Sequence, residues 1–153
     1  MNIDKQIEEL GIILPKASKP AAAYVQTKIS NNLVFISGQM PVLNGEIKYK
    51  GKLGQEYTKE EGYAAAKLCG LNLIAQLKDT INNLNRVKQI VHLKGFVASS
   101  SDFYEHPYVI NGASDLMEEV FGEKGKHTRC ALGTNVLPFN VPVEIELIVE
   151  IED

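Results

Sequence analysis

The stretch HTRCALGTNVLPFNVPVEIELIVEIED, residues 127–153, contains the clearest strand pattern in the chain. From position 141 to position 151 every second residue is apolar, and the five positions between them hold one proline, three glutamates and one isoleucine. Such alternation predicts a β-strand with one buried face. Residues 129–136 alternate in the same way, and LPFN between the two runs is typical of a turn. We therefore expect an antiparallel hairpin at this end of the chain.

Matching apolar residues across this hairpin places Arg129 on the same face as Glu144. With the turn centred on Pro138 and Phe139, Glu144 lies opposite Gly133, and Arg129 lies about 13 Å further along the strand. This spacing argues against a direct ion pair and leaves room for a small molecule. It does not decide whether Arg129 binds a ligand or only pairs with other glutamates in water, an interaction that contributes about 0–1 kcal/mol.

The remaining chain alternates strand and helix patterns. A short helix is expected near the start, at residues 2–10, and a first hairpin is expected over residues 24–38. TKEE at 58–61 is a capping box that begins a long helix. A buried strand, IVHLKGFVAS, follows at 90–99, and a second main helix is expected over 107–120.

This order of elements predicts an α/β fold, more exactly named an α+β two-layer sandwich, with two main helices on one face of a mixed β-sheet. No elements remain to cover the other face of the sheet, so we expect a partner subunit there.

Length and composition favour one domain, residues 1–153, in a soluble cytoplasmic protein. The net charge of −3 argues against a nucleic-acid surface. No apolar run reaches the roughly 20 residues that cross a bilayer, and the acidic start is unlike a signal peptide. The two cysteines and three histidines lack metal-ligand spacing, so neither a metal nor a cofactor is expected.

Three single residues have competing interpretations. Cys130 falls on the apolar face of the predicted hairpin, which favours a packed thiol over a nucleophile. Gly38 ends a strand, where a glycine marks a bulge or turn and also lets backbone N–H groups approach a ligand. Tyr24 begins the first predicted strand, where packing in the core is the simplest expectation.

Taken together, these segments resemble the RidA/YjgF family, which also carries the label "endoribonuclease L-PSP". AAAYVQ (21–26) is similar to the family's GPYVQ, and VFISGQMP (34–41) is similar to its SGQIP signature. VINGASDLMEEVFG (109–122) resembles the family's asparagine-bearing helix. The run from His127 to Glu150 resembles its C-terminal segment, which joins an arginine to LP and EIE motifs.

The resemblance implies a chorismate-mutase-like homotrimer with sites between subunits. It also implies hydrolysis of reactive 2-enamine and 2-imine acids to 2-oxo acids and ammonia, without a cofactor. Arg129 then matches the family's carboxylate-binding arginine, and Glu144 matches the glutamate that positions water and transfers protons. The expected substrate-binding residues are Tyr24, Ser37, Gly38, Asn111 and Ala131.

The chain departs from the family pattern in several places. Residues 1–20 form an N-terminal extension, and YEHPYVINGA (104–113) is longer than in short members. The family commonly has a cysteine where Ala131 stands. Two other functions stay open: a non-catalytic trimeric module that binds a small carboxylate and has a regulatory role, and an endoribonuclease. The negative net charge and the glutamate-rich strand make RNA the less favoured ligand.

Overall fold

The computed structural model describes residues 1–153, and its main elements follow the predicted order. A short helix precedes a hairpin, and strands then alternate with two long helices. The helices are α1 (Ile3–Glu9), α2 (Lys59–Ile81) and α3 (His106–Phe121). The strands are β1 (Thr27–Ser30), β2 (Leu33–Gln39), β3 (Val42–Leu43), β4 (Glu46–Ile47), β5 (Val87–Ala98), β6 (Thr128–Thr134) and β7 (Val143–Ile151).

The long helix α2 begins at the predicted capping box. The Thr58 side chain accepts a hydrogen bond from the Glu61 N–H, and the Glu61 carboxylate accepts one from the Thr58 N–H at 3.0 Å. Each bond satisfies a backbone donor that the first helical turn leaves unpaired. The helix ends at Asn82, whose φ of 65° lies in the left-handed region, and its N–H bonds to the Lys78 carbonyl.

The main sheet has five strands in the order β1-β2-β7-β5-β6, and β3 pairs with β4 in a separate small ribbon. All neighbours in the main sheet are antiparallel except β5 and β6, so the sheet is mixed as predicted. Apolar residues from α1, α2, α3 and one face of the sheet form a single cluster of 29 buried residues. The predicted two-layer fold is therefore confirmed.

The predicted hairpin between the last two strands is wrong, because β5 lies between β6 and β7. Helix α3 carries the chain from β5 across to the parallel strand β6, and the LPFN segment then leads to β7 on the far side of β5. Alternation of apolar and polar residues along a strand does not identify the strand that pairs with it. The short LPFN connection between β6 and β7 made a hairpin the simplest prediction.

This change of partner also reverses the face on which Arg129 lies. Arg129 is in register with Leu93, whose side chain packs in the core under the helices. Glu144 is in register with Phe96 on the opposite face. Because successive side chains of a strand point to opposite faces, Arg129 and Glu144 lie on opposite sides of the sheet. The predicted shared face is thus also wrong.

The second face of the sheet is not covered within this chain. Phe35 in β2 is 41% exposed and Leu132 in β6 is 46% exposed, and the half-buried Ile148 lies between them. Cys130 is exposed on this face, so the expected packed thiol is wrong. None of the helices combines the length and hydrophobicity needed to cross a membrane.

The crossing of α2 and α3 depends on a close backbone approach at Gly112. A Cβ atom there would overlap the Tyr63 carbonyl oxygen of α2, whereas one at Gly70 would lie 2.9 Å from the end of the Leu116 side chain. We expect Gly112→Ala to lower the free energy of unfolding by about 1–3 kcal/mol, because backbone atoms have to move.

Gly70→Ala is the matched control for this substitution. Its cost should be smaller, since a leucine side chain can rotate and alanine favours a helix by about 1 kcal/mol over glycine. Urea denaturation of both variants gives the two free energies. Equal losses would contradict a special role for the contact at Gly112.

Candidate active site

A cavity of about 470 Å³ opens where the end of β2 meets the start of β7. Four predicted site residues line it: Tyr24, Ser37, Gly38 and Glu144. We call this space the glutamate cavity. Its other lining residues are Ala21, Ala22, Met40, Pro138, Phe139 and Glu146.

A β-bulge in β2 shapes one wall of the glutamate cavity. The pairing changes from Ile36 with Leu147 to Gln39 with Ile145, so β2 uses one more residue than β7 over this interval. The bulge expected at Gly38 is therefore present. A Cβ atom at Gly38 would lie 3.0 Å from the Glu144 side chain, so the glycine leaves space for the carboxyl group to lie against β2.

Tyr24 lies on the rim of the glutamate cavity and is 46% exposed. Strand β1 begins only at Thr27, and residues 21–24 form bends before it. The expectation that Tyr24 packs in the core is therefore wrong. The Ser37 hydroxyl donates a hydrogen bond of 2.7 Å to the Val25 carbonyl, which joins the rim segment to the bulge.

Glu144 has the chemistry of an acid/base group. Its side chain is half-buried, and neither carboxylate oxygen accepts a hydrogen bond or forms an ion pair within the chain. Burial raises the pKa of its carboxyl group, and repulsion from Glu146 raises that pKa further. A carboxyl group in such surroundings takes up and returns a proton more readily near neutral pH than an exposed one.

Arg129 lies on the other side of the sheet and is held by α3. Its guanidinium donates to the Ser114 hydroxyl at 3.1 Å and to the Pro107 carbonyl at 3.2 Å. The Ser114 hydroxyl also bonds to His127 Nε2 at 2.8 Å, and His127 Nδ1 bonds to the Gly125 carbonyl at 2.6 Å. A guanidinium has five N–H donors, so three of those on Arg129 have no partner in the chain.

Asn111 and Ala131 accompany Arg129. Pro107, Asn111 and Ser114 are spaced four and three residues apart on α3, so Asn111 lies on the helix face that contacts the guanidinium. Ala131 is two residues after Arg129 on the same face of β6 and packs against the core. We call Arg129, Asn111 and Ala131 the arginine group.

The structure therefore divides the predicted site into two parts. The glutamate cavity lies near one edge of the sheet on its uncovered face, and the arginine group lies on the edge strand β6 on the covered face. Strand β5 and the core beneath it separate them, so one chain alone does not assemble both parts into a single site.

The sequence did not point to several residues that support these two parts. Ser114 and His127 position Arg129. The only signal for Ser114 in the sequence is its position three residues after Asn111 on the predicted helix. Phe139 lines the glutamate cavity with φ at 58°, a conformation that bulky residues rarely adopt and that no local motif indicates. No cluster of three or more His, Cys, Asp or Glu side chains is arranged to hold a metal ion.

Comparison with known proteins identifies the relatives of this chain. The sequence profile of the family described as "YjgF/chorismate mutase-like, putative endoribonuclease" matches residues 5–151. The chain belongs to this RidA/YjgF family. The predicted membership is confirmed.

Two solved structures and one curated protein are similar over nearly their whole lengths. Protein TCP17 of Trypanosoma cruzi is 43% identical over 148 residues, which are 96% of this chain and 92% of that protein. A putative endoribonuclease from Shewanella oneidensis is 38% identical with a TM-score of 0.96, covering 99% of this chain and 100% of that one. An Agrobacterium tumefaciens protein of unknown function is 44% identical with a TM-score of 0.91, covering 98% and 92%.

The raised pKa of Glu144 makes stability depend on pH in a defined direction. A carboxyl group with a higher pKa in the folded state destabilises the fold once it is ionised, and this effect disappears below its unfolded pKa. We expect Glu144→Gln to raise the melting temperature by about 1–4 °C at pH 7. The gain should vanish below about pH 4, where both states hold the proton.

Glu150→Gln, on the same strand and face, is the matched control. Hydrogen bonds from Lys88 and Gln89 lower the pKa of Glu150, so the same substitution there should slightly lower the melting temperature at pH 7. Melting curves at several pH values distinguish the two. A Glu144→Gln variant that is less stable than the wild type at pH 7 would contradict the argument.

Proposed function

We propose that this protein hydrolyses reactive 2-imine acids, and the 2-enamine acids that tautomerise to them, to 2-oxo acids and ammonia. The observation that supports this most is the unpartnered, half-buried Glu144 with a raised pKa at the wall of the glutamate cavity. The arginine group supplies the complementary chemistry, because a planar guanidinium with free N–H groups suits a carboxylate. Membership of the RidA/YjgF family is consistent with this reaction.

The proposed active form is a homotrimer in which each cleft takes its two parts from two subunits. The uncovered sheet face exposes apolar side chains beside charged ones, as a face that contacts a partner does. Cyclic assembly presents the β6 edge of one subunit to the glutamate cavity of the next. Such an arrangement would bring together two groups that the chain itself keeps on opposite faces.

The reaction needs little beyond these groups. Arg129 holds the substrate carboxylate and fixes the neighbouring imine carbon near Glu144. Glu144 takes a proton from a water molecule as the water oxygen bonds to that carbon, and it passes this proton to the imine nitrogen, which becomes the amine of a carbinolamine. Glu144 then takes the proton of the new hydroxyl group and gives it to the amine nitrogen as the C–N bond breaks, so the C=O bond of the 2-oxo acid forms and ammonia leaves. One water is consumed and no electrons are transferred to another reagent.

RNA cleavage has less support from the site. The glutamate cavity is lined by two glutamates and contains no lysine or arginine. Arg129 is the only cation among the seven proposed site residues, whereas proteins that bind nucleic acid neutralise several phosphates with lysine and arginine side chains. A carboxylate-binding module without turnover remains an outcome of the experiments below.

Substitutions of Glu144 and Arg129 test the reaction directly. We expect Glu144→Gln to lower kcat for hydrolysis of freshly generated 2-aminoacrylate by about 100-fold or more, with a small change in KM, because a general acid/base is lost. Arg129→Lys should lower kcat/KM by a similar factor, since an ammonium group does not bind a carboxylate through two parallel bonds. Release of the 2-oxo acid or of ammonia gives the rates.

Glu150→Gln and Arg86→Lys serve as controls, because both residues lie outside the glutamate cavity and the arginine group. Both control variants should keep the wild-type rate. Absence of any wild-type rate above spontaneous hydrolysis would contradict the proposed reaction. Binding of a small carboxylate without turnover would then favour the non-catalytic module.

Mixed assembly tests whether a cleft is shared between subunits. Chains with Arg129→Ala and chains with Glu144→Gln are refolded together in equal amounts, and native mass spectrometry checks that they mix. Random mixing gives each shared cleft both intact groups with a probability of about one quarter, so about a quarter of the wild-type activity should return. Mixed trimers that stay as inactive as each parent would contradict a shared cleft.

A further inference from the structure

Two buried glutamines lie behind the glutamate cavity. Gln39 at the end of β2 and Gln76 in α2 are each only 3% exposed. Burial of an amide side chain is unfavourable unless its donors and acceptor are bonded. Every buried side-chain nitrogen and oxygen in this protein has a hydrogen-bond partner, so both amides belong to a satisfied polar network.

The network joins three separate parts of the chain. Gln39 Nε2 donates to Gln26 Oε1 at 2.9 Å, and Gln76 Nε2 donates to Gln39 Oε1 at 3.4 Å. The Ser18 carbonyl accepts from Gln76 Nε2 at 2.7 Å and from Gln26 Nε2 at 3.0 Å. We call Ser18, Gln26, Gln39 and Gln76 the glutamine network.

The glutamine network acts directly on the bulge that carries the cavity wall. A bulge interrupts the pairing of β2 with β7, so a backbone group there needs another partner. Gln39 Nε2 donates to the Ser37 carbonyl at 3.0 Å and supplies one. The Ser37 N–H donates to the Gln26 carbonyl at 2.8 Å, so Gln26 holds the same residue through its backbone.

The Ser18 carbonyl brings the N-terminal segment into this arrangement. Ser18 lies between α1 and β1, in a stretch without regular structure. A carbonyl that accepts from two amides fixes the position of both, and here those amides come from α2 and from the residue two positions after Tyr24. The segment before Ala21 is therefore bonded to the elements that carry Tyr24, Ser37 and Gly38.

Simple core packing does not account for these amides. Methionine or leucine at positions 39 and 76 would fill similar volumes without burying polar atoms. Hydrogen bonds differ from apolar contacts in that they fix distance and direction, and a network of them specifies one arrangement.

We propose that the glutamine network positions the wall of the active-site cleft, with the N-terminal segment as one of its supports. Gln39 and Gln76 are positioning residues that act through Ser37 and Gly38 and do not touch the substrate. The role in turnover rests on the proposed function, whereas the fixed geometry of the bulge does not.

Hydrogen exchange of the wild-type chain and of Gln39→Met and Gln76→Met tests the geometric part. Methionine keeps the length of the side chain and removes its amide. We expect amide exchange in peptides covering residues 33–41 to be about tenfold faster in both variants, because the bulge opens more often. Leu84→Ala is the control, since it removes a buried side chain outside the network and lowers overall stability.

Leu84→Ala should speed exchange at residues 33–41 only as far as its lower overall stability requires, and both network variants should exceed that increase. If both network variants match that control, the proposal is wrong. The same variants are assayed for 2-aminoacrylate hydrolysis, where kcat should fall about tenfold with KM within about twofold. Faster exchange with an unchanged kcat would overturn the positioning role.

The two proposals fail in different ways. A wild-type protein without imine hydrolysis disproves the proposed function, and the exchange result still decides whether the network holds the bulge. Active wild-type protein with unaltered exchange in the variants disproves the network proposal and leaves the proposed function intact.

Discussion

The pairing of β5 with strands on both sides is the constraint on which the rest of the structure depends. Its ladder with β7 is antiparallel and its ladder with β6 is parallel, and the parallel ladder requires α3 to cross over the sheet. That crossing places α3 above β6, where Ser114 and the Pro107 carbonyl hold Arg129. The same two ladders put Glu144 and Arg129 on opposite faces. Both the position of the arginine group and its separation from the glutamate cavity follow from this one strand.

The glutamate cavity depends on departures from regular structure. An extra residue bends β2 beneath Glu144, and a positive φ at Phe139 turns the segment before β7 over the same space. The Asn140 carbonyl, next to Phe139, accepts the Gly51 N–H at 2.9 Å, so a distant loop holds this turn. The regular sheet and helices support this turn, and Phe139, the one residue with positive φ that is neither glycine nor asparagine, lies where a ligand would bind.

Sequence patterns predicted the elements well and their arrangement in part. The capping box at Thr58, the helix over α3 and the bulge at Gly38 all have local causes, and local causes are visible in a sequence. The partner of β6 is not local, because alternation fits any neighbouring strand. The alternation over residues 129–136 predicted that Cys130 and Leu132 face the core. On the edge strand β6, however, the face covered by α3 carries Arg129 and Ala131.

The candidate site shows the same division. Four of the residues assigned by resemblance line the glutamate cavity, because their motifs lie at adjoining strand ends. The other three form the arginine group at α3 and β6. Two supporting features, the glutamine network and the His127–Ser114 contact to Arg129, depend on residues far apart in sequence. Ordinary amides and hydroxyls at those positions carry no pattern of their own, so only the folded chain reveals what they do.

The separation of the two groups also has an evolutionary consequence. Each group depends on its own strands and its own hydrogen bonds, so substitutions in one affect the other little. Residues around Glu144 can therefore diverge while Arg129 and its hydrogen bonds to α3 are inherited unchanged. In the homotrimer proposed above, gene duplication would extend this freedom, because two diverged copies that assemble together would combine the halves of both ancestors.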